Sequence, residues 1–91
     1  MLRITVLSEG PEEAVLQLEG WVASEDVAVL ADEGHRRLDA AERLVLDLAG
    51  VKFIDMAGIG LLQAWSGPRL MLRGNSSYLR AVLAASGLEL S

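Results

Sequence analysis

The sequence predicts a small α/β domain, a mixed β-sheet packed with helices in the order β-β-α-β-α-β-α. Three observations predict it. Leu2–Leu7 and Glu13–Glu19 each place an apolar residue at every second position and are joined by a short turn, the pattern of an antiparallel hairpin. Three later stretches carry apolar residues at helical spacing. Two apolar runs lie between those helices, so each is a strand reached through a helical crossover, and such units are parallel and right-handed.

In the first strand Leu2, Ile4 and Val6 share a face; in the second Ala14, Leu16 and Leu18 do. Ser8-Glu9-Gly10-Pro11 carries the turn signals between them. Gly20-Trp21-Val22-Ala23 is expected to lead into a first helix, with Ser24 as its N-cap. Glu25 and Asp26 near the start and His35, Arg36 and Arg37 near the end suit the helix dipole. Its buried stripe reads Val27, Leu30, Ala31, Gly34, Leu38 and Ala41. Glycine at 34 costs roughly 1 kcal/mol of helix propensity against alanine, so a close approach to the sheet is expected there.

Arg43–Leu48 is a dense apolar strand, and its apolar residues on both faces predict a central strand covered at least in part on both sides. Met56–Trp65 reads as the second helix, with Asp55 placed to cap it. A short strand, Arg69–Arg73, follows the Gly67-Pro68 break. Asn75 or Ser76 caps a third helix, Ser77–Ser86, whose inward face is Leu79, Val82 and Leu83. Gly87 ends it, and Leu88 can close a Schellman contact.

Composition bounds the function. The 91 residues suit one small domain, residues 1–91, and 52% hydrophobic content is ample for one core. Apolar runs such as Val27–Ala31 stop far short of the ~20 residues a membrane helix needs, so no direct membrane insertion is expected. No signal peptide is visible, and the expected location is cytoplasmic. There are no cysteines, which removes disulfides, thiolate nucleophiles and thiolate zinc sites together. The net charge of −5 argues against nucleic acid as a partner. It is uneven: residues 1–50 hold 4 basic and 11 acidic groups, residues 51–91 hold 4 and 2. A solvated acidic helix and an acidic hairpin tip account for most of this; an electrostatically steered protein partner is the sharper alternative.

Catalytic patterns are missing. His35 is the single histidine, sits at the basic end of a helix, and has no second ligand with which to share a metal. Asp47 and Asp55 form a conceivable acid–base pair, although Asp47 lies within an apolar strand and suits a structural role. Gly58-Ile59-Gly60 resembles part of a phosphate loop but no lysine follows. Trp21 and Trp65 either pack or stack on a ligand. Neither a cofactor nor an enzymatic activity is expected.

One segment carries more information. Residues 44–60 read L-V-L-D-L-A-G-V-K-F-I-D-M-A-G-I-G. This resembles the signature of the STAS domain, the family of bacterial anti-sigma factor antagonists and sulphate-transporter tails. There an apolar strand ends in Asp-Leu, and after a short spacer come phenylalanine, an apolar residue, aspartate, two hydroxyl residues, glycine, an apolar residue and glycine. Leu16-Gln17-Leu18-Glu19-Gly20 and the closing strand, turn and helix over Leu70–Leu88 also match, so the resemblance spans essentially the whole chain.

The resemblance implies a protein-interaction module. Family members bind partners through the surface around this turn and the helix after it, here Asp55, Met56, Ala57, Gly58, Ile59 and Gly60, with Trp21 nearby. A partner with a kinase-type ATPase fold phosphorylates a hydroxyl in the turn, and two added negative charges break the interface. This chain departs at that place: Met56 and Ala57 occupy both hydroxyl positions. Ala23 also stands near where an aspartate is frequent, and Ser66-Gly67-Pro68 is a shorter link than usual. The expected function is therefore an antagonist-like module that binds an anti-sigma factor or related kinase-fold regulator without phospho-gating at the turn. Two alternatives stay open: an accessory subunit bound to the ATPase subunit of a membrane transport complex, and a small-ligand or nucleotide sensor using Trp21. Met56 is either an apolar contact for a partner or the filler of a core gap. The first strand, as an exposed edge, also allows a homodimer.

Overall fold

The computed structural model describes all residues, Met1–Ser91. The elements follow in the expected order: β1 (Leu2–Glu9), β2 (Glu13–Val22), α1 (Asp26–Ala40), β3 (Arg43–Ile54), α2 (Met56–Trp65), β4 (Leu70–Arg73) and α3 (Ser77–Ala85). The strands form one sheet in the spatial order β1-β2-β3-β4. β1 pairs antiparallel with β2, while β2–β3 and β3–β4 are parallel. The α/β class expected from the sequence, a small mixed sheet packed with helices, is the observed one.

The alternation in β2 and β3 decides where the core sits. Ala14, Leu16 and Leu18 of β2, Leu44, Leu46 and Leu48 of β3 and Leu72 of β4 form one cluster with Leu30 of α1, Leu62 of α2 and Leu79 and Leu83 of α3. Each fully buried leucine removes apolar surface worth about 1.5–3 kcal/mol from water. Val45 is also buried, but on the other face and outside that cluster, between its strand neighbours Val15 and Met71. Its cover comes from within the sheet, where the pairs Arg43–Glu13 and Arg73–Asp47 flank it.

Three boundaries differ from the sequence expectation. β1 runs on to Glu9 because a bulge between Val6 and Ser8 lets Ser8 and Glu9 pair with Val15 and Ala14. β2 runs on to Val22, so Gly20, Trp21 and Val22 are strand and not an approach to the helix. β3 extends to Ile54, absorbing the expected spacer; its register with β2 shifts twice, and the extra residues keep Leu48, Val51 and Ile54 in the core.

Two expectations about α1 are also corrected. Ser24 does not cap it: Ser24 lies at φ 56, the N-cap is Glu25, and no side chain bonds the helix start. Gly34 makes its close approach not to the sheet but to Trp65 of α2, whose indole occupies the space a Cβ would need. His35 beside it is exposed and meets the Trp65 ring edge-on at 5.5 Å between centroids. The far end of α1 is closed by Arg69, whose guanidinium donates to the carbonyls of Leu38, Ala41 and Glu42. Arg37 of α1 pairs with Glu33 and reaches Glu9 of β1.

The C-terminal segment behaves as read. Ser76 caps α3, accepting from the Leu79 amide at 3.2 Å. At the other end the Leu88 amide donates to Leu83 O and the Gly87 amide to Ala84 O, a Schellman motif with Gly87 at φ +79. Leu90 then bridges Leu72 in parallel, and the Ser91 amide donates to Leu72 O, covering part of the β4 edge. β1 is left as the uncovered edge of the sheet.

Candidate functional site

The site is built at the C-terminal ends of β2 and β3. Extended backbone at Asp55 ends β3 and presents its carboxylate to the start of α2. Oδ1 accepts the Gly58 amide at 2.8 Å, which is an N-cap, and Oδ2 accepts the Ser24 amide at 2.9 Å. One carboxylate thus ties the β2–α1 connection to the first turn of α2. The Ser24 N–H, then that of Gly58, hold the Asp55 carboxyl below its ordinary pKa, because both donate to the charged form. The Asp55 amide in turn donates to Val22 O at 3.1 Å.

Gly58 sets how closely α2 sits on the strand ends. A Cβ there would lie 2.8 Å from Val22 O and from Ile54 Cγ1, so the turn accepts no side chain. Ile59 is buried and anchors the helix in the core. Gly60 differs: it is exposed, and a Cβ built on it meets nothing within 4 Å. Ala57 is exposed beside it.

Met56 is 81% exposed, so it fills no core gap and that alternative is excluded. Trp21 and Phe53, paired across β2 and β3, are exposed and stack edge to face at 5.7 Å between centroids. Both precede the turn directly, since Val22 pairs with Ile54 and Asp55 follows. Trp21 and Phe53 thus lie on the sheet face opposite buried Val22 and Ile54, and Met56 stands exposed at the start of α2 on the other side of the capped turn. Lys52 and Glu25 stand exposed at the margins.

Of the residues expected at the site, Asp55, Met56, Ala57, Gly58, Ile59 and Gly60 form the cap and first turns of α2, and Trp21 lies on the neighbouring strand end, paired with Phe53. Gly58 and Ile59 support it from beneath, while the others reach its surface. Sequence reasoning missed Ser24 and Phe53. Phe53 carried a signal, because alternation from a buried Ile54 puts its neighbour on the opposite face; ending β3 at Leu48 hid it. Ser24 carried none, since its contribution is a backbone amide.

The arrangement suits contact more than bond-making. Asp47 accepts the Ala49 amide at 3.0 Å and lies 4.0 Å from Arg73 Nη2, a structural role. Ile54 lies seven positions further along the strand, roughly 23 Å, so Asp47 does not share a substrate with Asp55. Trp65 packs under Gly34, unlike exposed Trp21. The surface hollows lie elsewhere, around Ser66–Leu72, Leu38–Glu42 and Trp65–Arg69, and Trp21 lines none of them. No group of three or more histidine, aspartate or glutamate side chains is placed to hold a metal ion. No helix is long and apolar enough to cross a membrane.

Comparison with known proteins follows from this geometry. A family model described as "Mlab, STAS domain" matches residues 5–90. The fold is similar to that of the anti-sigma factor antagonist SpoIIAA in its unphosphorylated form, with a TM-score of 0.76 and 22% identity over 100% of this chain and 86% of that one. It is also similar to an anti-sigma factor antagonist from Mycobacterium paratuberculosis, with a TM-score of 0.80 and 19% identity over 99% of this chain and 85% of that one. No curated protein matches the sequence significantly.

Proposed function

The chain belongs to the STAS-domain family, and from that membership we propose that it is a non-catalytic regulatory module that binds a protein partner through the Asp55–Gly60 turn, the exposed side of α2 and the Trp21–Phe53 pair. The partner in this reading is an anti-sigma factor or related kinase-fold regulator, and binding is cytoplasmic and not gated by phosphorylation at the turn. The observation that carries it is the exposure of Met56 in a turn whose Asp55 carboxylate accepts two backbone amides, with Trp21 and Phe53 exposed on the adjoining strand ends. Aromatic and methionine anchors of this kind concentrate binding energy when a partner desolvates them. Met56 and Ala57 have no hydroxyl to accept a phosphoryl group, which supports the ungated form.

The same observation favours one second reading. An accessory subunit held permanently on the ATPase subunit of a membrane transport complex needs the apolar surface and no phosphate switch.

An affinity capture from native extract, run beside a Met56→Asp variant, tests both. Wild type should retain a kinase-fold regulator, and the variant should lose it, because a carboxylate placed at the centre of an apolar contact must be desolvated. Retention of a transporter ATPase instead selects the second reading. Equal capture by both baits, or none, removes the turn as the interface.

A further inference from the structure

We propose that Met56 is a redox-sensitive modification site, at which oxidation of the thioether to the sulfoxide releases the partner. The inference rests on the partner surface proposed above and adds its regulation. Three observations carry it. Met56 is 81% exposed and makes no core contact, so an oxidant reaches its sulfur freely. It opens α2 directly after the Asp55 cap, within the turn of the proposed partner surface, so its polarity matters to whatever binds there. The chain has no cysteine, so no thiol competes for a peroxide and the sulfur chemistry falls on three methionines alone.

Those three methionines are graded. Met1 is 96% exposed and lies at the same end of the sheet, its carbonyl accepting the Trp21 amide at 3.1 Å, while Met71 is 45% exposed on β4. The chemistry is a two-electron oxidation. A sulfur lone pair attacks one oxygen of hydrogen peroxide, the O–O bond breaks, an S–O bond forms, and water leaves with both protons. The flexible apolar side chain becomes a polar one that accepts hydrogen bonds. Because the residue is exposed, the fold keeps its packing and only the surface changes. Methionine sulfoxide reductase reverses the step.

The test is graded peroxide treatment of the whole chain, read by peptide mass spectrometry, with binding measured to the partner captured by the untreated protein. Met1 and Met56 should oxidise several-fold faster than Met71, and thermal unfolding should be unchanged while Met71 is still unreacted. Affinity should fall about tenfold or more and return on treatment with the reductase. Met56→Leu should lose the peroxide response, whereas Met1→Leu should keep it. Oxidation of Met71 at an equal rate, or full affinity with Met56 fully oxidised, overturns the proposal. The two readings separate through Met56→Asp. If that variant binds normally, the surface itself is wrong. If it fails to bind while the oxidised wild type binds, the surface stands and the redox gate falls.

Discussion

The amide of Ser24 donates a 2.9 Å hydrogen bond to Oδ2 of Asp55, 31 residues away, while the other oxygen of the same carboxylate caps α2. Each loop on its own would be free to move. Joined, they form one preassembled end of the sheet, which reduces the ordering a partner must impose on binding.

Asp55→Ala should therefore lower Tm by a few degrees and speed amide exchange at both Ser24 and Gly58. Asp55→Ser, which keeps a cap acceptor but cannot reach both donors, should restore protection at Gly58 alone. The pH dependence follows from the lowered carboxyl pKa. A folded-state value below the unfolded one gives stability that is present above the unfolded value and lost as pH falls through the folded value. Exchange at Ser24, corrected for intrinsic rates, should be flat near neutrality and rise only in acid, below the ordinary carboxylate range. A rise near pH 6 would mean another group holds the loop.

Ser24 holds φ 56, a left-handed backbone that costs a side-chain-bearing residue roughly 1–2 kcal/mol. Ser24→Gly should be neutral or raise unfolding free energy by about 1 kcal/mol. Ser24→Val, β-branched, should lower it by about 1–3 kcal/mol. Urea unfolding of the three proteins decides this; equal stability of glycine and valine would show that the loop relaxes.

Gly34 and Gly60 lie in neighbouring helices yet predict opposite outcomes. At Gly34 a Cβ enters the Trp65 ring, so Gly34→Ala should destabilise by about 1–3 kcal/mol through overpacking. At Gly60 nothing opposes a Cβ, so Gly60→Ala should stabilise by up to about 1 kcal/mol through helix propensity. If Gly60→Ala is more stable yet binds the partner more weakly, the glycine serves contact with another molecule. Unaltered binding would place the interface away from that turn of α2.

Arg69 donates to three carbonyls at the end of α1. Arg69→Ala should cost about 1–3 kcal/mol, because charge-assisted hydrogen bonds to helix-end carbonyls exceed ordinary surface pairs. Arg69→Lys should recover only part, since an ammonium lacks the planar fork. Thermal melts of both variants check this, and equal melting of wild type and Arg69→Ala would assign the cap to solvent.

The sequence by itself determined the order of the elements, the faces of β2 and β3, the Asp55 cap and the Schellman end of α3. Each rests on residues within a few positions of one another, where period, capping chemistry and glycine act locally. It also placed Met56 and Ala57 in the turn, because that motif is contiguous. Tertiary structure alone decided the rest. Phe53 joined Trp21 because the parallel pairing of β2 and β3 carries both strands past their apolar runs. Ser24 left the helix for a left-handed turn because its amide serves a carboxylate 31 residues on. Gly34 turned to Trp65 because α1 and α2 pack side by side. Whether Met56 was core or surface depended on how tightly Gly58 seats α2 against Val22 O. These are contacts between distant segments, and no local pattern encodes the distance between them.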